Sequence, residues 1–251
     1  HNVYDFEWID DFSAARNYAQ QFVSLSHTLS WDADFFLDKE NYEKLIACKE
    51  AVLTHDLSLF IWNAEYIDGV GKKQELRSFV YDSDTFYWKY PIHNQLRRRD
   101  SDFVPQEYKR FDIEIHHLKD PQAKSHRYSQ THKILKDYVQ NNPSDIRNLI
   151  FYASSCKHYK EYQEAIHIYK NVLRFLGRKD EYLVCSLVEQ YMVCLFSNSQ
   201  EDEAWRIFEQ YFALYPHNKI LQLLYADKLY SHHQYQAAFS WYERAYHNPL
   251  S

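Results

Sequence analysis

Asp32 and Asp34 stand one residue apart in the run Ser30-Trp31-Asp32-Ala33-Asp34-Phe35-Phe36-Leu37. Two carboxylates held this close repel each other unless a cation sits between them. Mg²⁺ or Mn²⁺ carrying a diphosphate takes one or two carboxylates plus phosphate oxygens. The pair is therefore the candidate site for such a metal, and little else in the chain resembles chemistry. The same spacing is also common on solvated loops. Here the apolar triplet Phe35-Phe36-Leu37 would draw the turn against a core.

Positioning this pair requires ordered elements on both sides. Asp10 or Asp11 can cap a helix that carries Phe12, Ala15, Ala19 and Phe22 on one face. His27 to Trp31 reads as a short strand, which would end at the acidic pair. Asn41 to Leu53 reads as a helix facing inward through Tyr42, Leu45, Ile46, Val52 and Leu53. Leu57 to Tyr66 and Glu75 to Tyr81 are β-rich runs. They flank Asp68-Gly69-Val70-Gly71 and read as a hairpin with a longer loop. Asp112 to His116 alternates as one more strand.

Beyond about residue 130 the pattern is purely helical and repeats. The small residue of Tyr-Gln-Glu-Ala-Ile (Ala165) recurs as Ala204 and Ala238, 39 and then 34 residues later, each followed by an aromatic or aliphatic stripe. Pro143, Pro216 and Pro249 stand near unit boundaries. A period near ~34 residues with a small residue where paired helices cross is the tetratricopeptide signature, and three units suffice for a stacked core.

Composition narrows the function classes. The 251-residue chain is 45% apolar and 18% aromatic, enough for a core, and holds 23 tyrosines but only 3 glycines. It therefore has no glycine-rich phosphate cradle. A net charge of −6 without a basic block argues against nucleic acid as the main partner. Cys48, Cys156, Cys185 and Cys194 are scattered, as expected of reduced thiols in a cytoplasmic protein. No apolar run approaches the roughly 18 residues of a membrane span, and no secretory leader is visible.

Several segments together resemble a known family. Trp8 to Ala19 followed by Trp31-Asp32-Ala33-Asp34 is similar to the middle of family-2 glycosyltransferases of the GT-A fold. The likeness is to bacterial enzymes with C-terminal tetratricopeptide repeats, which include peptide S-glycosyltransferases of the sublancin type. Glu75 to Phe79 resembles the family's R-L-F strand through Arg77. Tyr90-Pro91-Ile92-His93-Asn94 resembles its G-x-V-H-E segment through His93. Ile113 to His117 resembles a later I-x-H-x-G stretch, and Arg127 falls on the arginine that opens the repeat helices. The implied fold is α/β over residues 1–125, the C-terminal part of a GT-A-like domain, followed by all-α tetratricopeptide-like repeats over 126–251.

The resemblance implies a transferase moving a sugar from a nucleotide-diphosphate donor to an acceptor peptide or cell-envelope glycan. Mg²⁺ or Mn²⁺ would neutralise the leaving group as a Lewis acid. Asp32, Asp34 and His93 would be the metal set, and Asp11, Arg16, Asn17, Asp32 and Arg77 the donor-binding set. The family's strand with I-V-K-N-E and its D-T-G-S-T-D segment have no counterpart here, so the chain is expected to be a truncated piece or to have lost donor binding. The acid that follows the family's histidine is Asn94, which cannot act as a base. Glu65, Asp68 and Asp84 are substitutes for it.

Simpler roles compete with these. Arg16 can serve its own helix, and His116-His117 and His232-His233 suit packing or surface positions. Arg97-Arg98-Arg99 could clamp a diphosphate, but Asp100 and Asp102 beside it favour a solvated charged loop. Two other functions stay open. One is a non-catalytic tetratricopeptide module that binds a protein or self-associates through its repeats. The other is a metal-dependent hydrolase, disfavoured because no further acid cluster accompanies the pair.

Overall fold

The structure is a computed structural model and describes residues 2–54, 59–67, 72–101, 109–117, 123–178 and 180–248. It divides into two units, residues 1–134 and 135–251.

Among its described residues the first unit holds two complete helices and two sheets. α1 spans Phe12–Gln20 and α2 Lys39–Thr54. The strands are β1 (His27–Leu29), β2 (Phe35–Phe36), β3 (Leu59–Ile67), β4 (Lys72–Asp82), β5 (Phe86–Lys89), β6 (Gln95–Arg98) and β7 (Lys109–His117). Five of them form one sheet in the order β1-β4-β3-β7-β2, and β5-β6 form a separate hairpin. Among the described strands only β3 and β7 run parallel; β3 and β4 are the expected hairpin, with a register shift between Phe60 and Ile61.

α2 covers this sheet through Cys48, which is 1% exposed, with Leu45, Ala51 and Val52 beside Phe35, Val80, Ile113 and Ile115. The expected inward face is corrected here. Tyr42 and Ile46 point outward, 55% and 42% exposed. Buried Asn41 takes the inward place instead. Asp38 caps the helix through the Asn41 N–H (2.8 Å), and the Asn41 Oδ1 accepts the Glu114 N–H of β7 (2.8 Å). A polar residue is buried there because it satisfies a strand backbone group.

The second unit begins in the last turns of α3 (Ala123–Asn141). It continues through α4 (Ile146–His158), α5 (Tyr162–Leu176), α6 (Glu181–Ser197), α7 (Glu201–Leu214), α8 (Lys219–Ser231) and α9 (Tyr235–Tyr246). Helices pack as hairpins, α4 on α5, α6 on α7 and α8 on α9, with α5 on α6 and α6 on α8 linking them.

The hairpins are built alike. Each first helix is capped by a carboxylate or amide: Asp145 accepts the Asn148 N–H (3.1 Å), Asp180 that of Leu183 (3.0 Å) and Asn218 that of Ile220 (3.0 Å). Each ends on one residue in the left-handed region, Lys160, Ser199 or His233. The next N–H then reaches back to a carbonyl five residues earlier, as in Glu161 to Cys156 (2.8 Å), Gln200 to Leu195 (2.9 Å) and Gln234 to Leu229 (2.9 Å). This closure reverses the chain within a few residues. Each second helix needs no side-chain cap, because its first turn follows this closure directly. Ala165, Ala204 and Ala238 occupy the same place in α5, α7 and α9 and are 0%, 0% and 1% exposed. The unit is thus a tetratricopeptide-like array of helical hairpins.

No helix among the described residues is long and apolar enough to cross a membrane.

Candidate functional site

Asp32 and Asp34 lie on the connection between β1 and β2, not at a strand end. β1 stops at Leu29, and the Phe35 N–H closes a turn onto the Asp32 carbonyl (3.1 Å). The Trp31 indole N–H bonds the Phe35 carbonyl (3.1 Å) and braces the same turn. Both aspartates are half-buried. The Asp32 carboxylate accepts from the Arg16 guanidinium at 2.7 Å, and that guanidinium also bonds the Ser30 hydroxyl and lies 4.9 Å from the Trp88 ring centre. Arg16 thus supplies the positive charge that relieves Asp32, the part expected of a metal.

The remaining expected ligand does not join them. His93 is exposed on the loop between β5 and β6, with φ at 50°. Among the described residues no three-ligand cluster gathers Asp32, Asp34 and His93. The donor set does not fit a metal held by these three side chains.

Two other residues of the expected donor-binding set, Asp11 and Asn17, make hydrogen bonds within the first unit. Asp11 is the N-cap of α1, accepting from the Ala14 N–H (3.0 Å) and the Ser13 hydroxyl (2.6 Å). Asn17 binds both backbone groups of Trp88: its amide donates to the carbonyl (2.7 Å), and its Oδ1 accepts the N–H (2.8 Å). Gln20 donates to the carbonyls of Ser83 (2.6 Å) and Phe86 (2.9 Å). α1 therefore packs with a polar face on the open edge of β5 and supplies the hydrogen bonds a neighbouring strand would make. Phe12 and Phe22, expected on its inner face, are each 42% exposed. They pack instead on aromatic rings of the N-terminal segment, Trp8 (4.7 Å) and Tyr4 (3.7 Å).

Arg77 and Glu65 lie on β4 and β3, and Asp68 falls outside the described residues. Asp84 is exposed on the turn from β4 to β5, its N–H bonded to Asp82 (2.9 Å). Arg98 grips Asp100 through two bonds of 3.1 and 2.9 Å and pulls that carboxyl down to about 2. Arg97 bonds Tyr90 and Gln95. Arg97 and Arg98 thus sit half-buried on β6 and not on a solvated loop, although Arg98 does take Asp100 as its partner. The His116 ring stacks on Phe36 (4.7 Å), and His232 bonds the Lys228 carbonyl (2.8 Å), both packing roles.

A concave feature lies in the second unit, on the aromatic stripes of the repeats. Phe208 and Phe212 of α7 stack on Tyr225 of α8, at 6.0 and 5.3 Å, and Trp241 of α9 meets Tyr225 edge-on at 4.9 Å. A cleft of about 500 Å³ opens beside these rings, lined by Phe208, Phe212, Tyr225, Lys228, His232 and Gln234 among others. Lys228 lies 3.6 Å from Glu209 and 4.5 Å from the Trp205 ring. The signal was in the sequence as aromatics at 205, 208, 212, 225 and 241. Only helix pairing shows that they converge.

No family model matches the chain, and no curated protein matches it. Among solved structures, MamA AMB-1 aligns with 50% of this chain and 71% of its own, at 13% identity and a TM-score of 0.38. MamA MSR-1 aligns with 49% of this chain and 68% of its own, at 15% identity and a TM-score of 0.38. Likenesses this loose carry no inference about function.

Proposed function

We propose that this protein is an interaction module whose helical-hairpin array binds a protein or peptide partner in the cleft beside Phe208, Phe212 and Tyr225. The cleft carries the reading. Its volume of about 500 Å³ lies within the range of about 300–1,000 Å³ typical of ligand sites, and it combines aromatic walls with a few polar groups at its edge. The occupant is an aromatic or aliphatic side chain on an extended segment. Selection from a displayed peptide library tests this. The whole chain should enrich peptides with a recurring large apolar residue, and Phe212→Ala should lose that enrichment while melting as a folded protein. Trp241 packs edge-on against both Phe212 and Tyr225, so its fluorescence should shift on peptide addition. Equal enrichment by the variant would overturn the proposal.

A nucleotide-sugar transferase is the second reading, supported by the sequence resemblance and by the two half-buried aspartates sharing one turn. Calorimetry with Mn²⁺ and UDP-glucose tests it. Heat that disappears in Asp34→Ala supports it, and equal heat in both proteins rejects it.

A further inference from the structure

Glu161 stands beside Cys156 because the hairpin turn puts it there. The Glu161 N–H closes onto the Cys156 carbonyl at 2.8 Å, at the junction of α4 and α5. The same closure in the other two hairpins joins Gln200 to Leu195 and Gln234 to Leu229. The turn therefore forms equally well with an amide and an aliphatic residue. Of the three hairpins, the first alone sets a carboxylate against a thiol. His132 of α3 completes a group. One of its ring nitrogens, the Cys156 Sγ and a Glu161 carboxylate oxygen all lie within 4.8 Å of one another. α3 is one unbroken helix, and His132 stands on the same face as Lys136, one turn before it. Lys136, Tyr152 and Glu161 line a cleft of about 480 Å³. The three ligand atoms thus gather where water reaches, although Cys156 itself is fully buried.

Imidazole, thiolate and carboxylate are the ligand types of zinc, whereas a thiolate disfavours Mg²⁺ and Ca²⁺. Zinc bonds of about 2.0–2.3 Å set tetrahedral ligand atoms roughly 3.5 Å apart. Closing from 4.8 Å takes roughly 1 Å of side-chain movement. Glu161 is exposed and His132 half-buried, so both can turn while the backbone stays in place. We propose that His132, Cys156 and Glu161 bind a divalent zinc-type cation, leaving its fourth position open to the cleft. Burial pushes the Cys156 thiol up to about 12, so it carries its proton before the metal arrives. Binding breaks the S–H bond, forms the sulfur–metal bond and passes the proton to solvent, with no electron transferred. The Tyr152 hydroxyl, a hydrogen-bond partner of this sulfur, then steadies the thiolate. This site shares no residue with the cleft beside Phe208, and either can fail without the other.

Co²⁺ is the probe, because it takes zinc's place and reports a thiolate ligand by its colour. Titrated into the whole chain, it should give thiolate-to-cobalt charge-transfer absorption in the near ultraviolet, and Zn²⁺ should bleach that band. Cys156→Ser should abolish it. His132→Ala and Glu161→Gln should each weaken Co²⁺ binding at least tenfold. Neither position is buried, so circular dichroism should show both variants folded even where Cys156→Ser loosens the core. No band in the unaltered chain at millimolar Co²⁺, or a band that Cys156→Ser retains, would overturn the proposal. So would unchanged affinity in both His132→Ala and Glu161→Gln.

Discussion

Asn17 shows how one side chain can satisfy a strand edge. Its amide exchanges two hydrogen bonds with the Trp88 backbone, at 2.7 and 2.8 Å, and so replaces a missing strand on the β5 edge. Removing it leaves a part-buried N–H and C=O without those partners. Asn17→Ala should cost about 1–3 kcal/mol in urea unfolding followed by Trp fluorescence. A cost below about 0.5 kcal/mol would mean that water takes over both bonds. Arg16, one position earlier, is likewise occupied: it holds Asp32, Ser30 and the face of Trp88. Neither role was legible from residue type, since the partners are 14 to 71 positions away and one is backbone.

At the scale of elements, the repeated turn is the decisive device. Lys160, Ser199 and His233 hold positive φ values of 62°, 58° and 60° without being glycine. An L-residue there is strained by contact of its Cβ with the backbone. Lys160→Gly and Ser199→Gly should each stabilise by about 0.5–1 kcal/mol, the relief exceeding the entropy glycine adds to the unfolded chain. Chemical denaturation of the two variants and their combination measures this, and lowered midpoints would contradict the strain. The buried alanine five residues later responds oppositely. Ala204→Leu should overpack the helix crossing and cost about 1–3 kcal/mol, and an unchanged melting temperature would show that the helices can separate without penalty. The alanine period was visible in the sequence; the turn was not, because the residues forming it share no side-chain type.

For the whole molecule, alkaline pH is the sensitive variable. Burial pushes the thiols of Cys156 and Cys185 up to about 12 and that of Cys194 up to about 11. Burial also raises Tyr152 and Tyr169. An unfolded thiol ionises near about 8.5. Above that pH the unfolded chain releases protons that the folded chain retains. Stability is therefore full below about pH 8.5 and falls as pH rises toward the folded values. The melting temperature should drop between pH 8 and 10, and Cys185→Ala should make the drop shallower. A flat profile would mean that the thiols ionise in place.

What sequence alone determined is what local periodicity encodes. Helix stripes, the β-rich runs of β3 and β4, the alternation of β7, and the 39- and 34-residue returns of the small residue need only a short stretch of chain to be read. The limits of that reading show in α1 and α2. α1 buries Ser13 and Gln20 and exposes Phe12, because the surface it covers is a backbone edge that wants hydrogen bonds. α2 buries Asn41 and exposes Tyr42 for the same reason. The β5–β6 hairpin is too short to signal itself, and its core of Tyr81, Phe86, Trp88 and Leu96 forms only when β4 is in place. Tertiary structure alone decided that Arg16 neutralises Asp32 and that His93 stays apart from the acidic pair. It likewise decided that aromatics of α7 and α8 line one cleft. Charge pairing and ring stacking act over a few ångströms in space, between residues whose separation along the chain is set by the intervening fold.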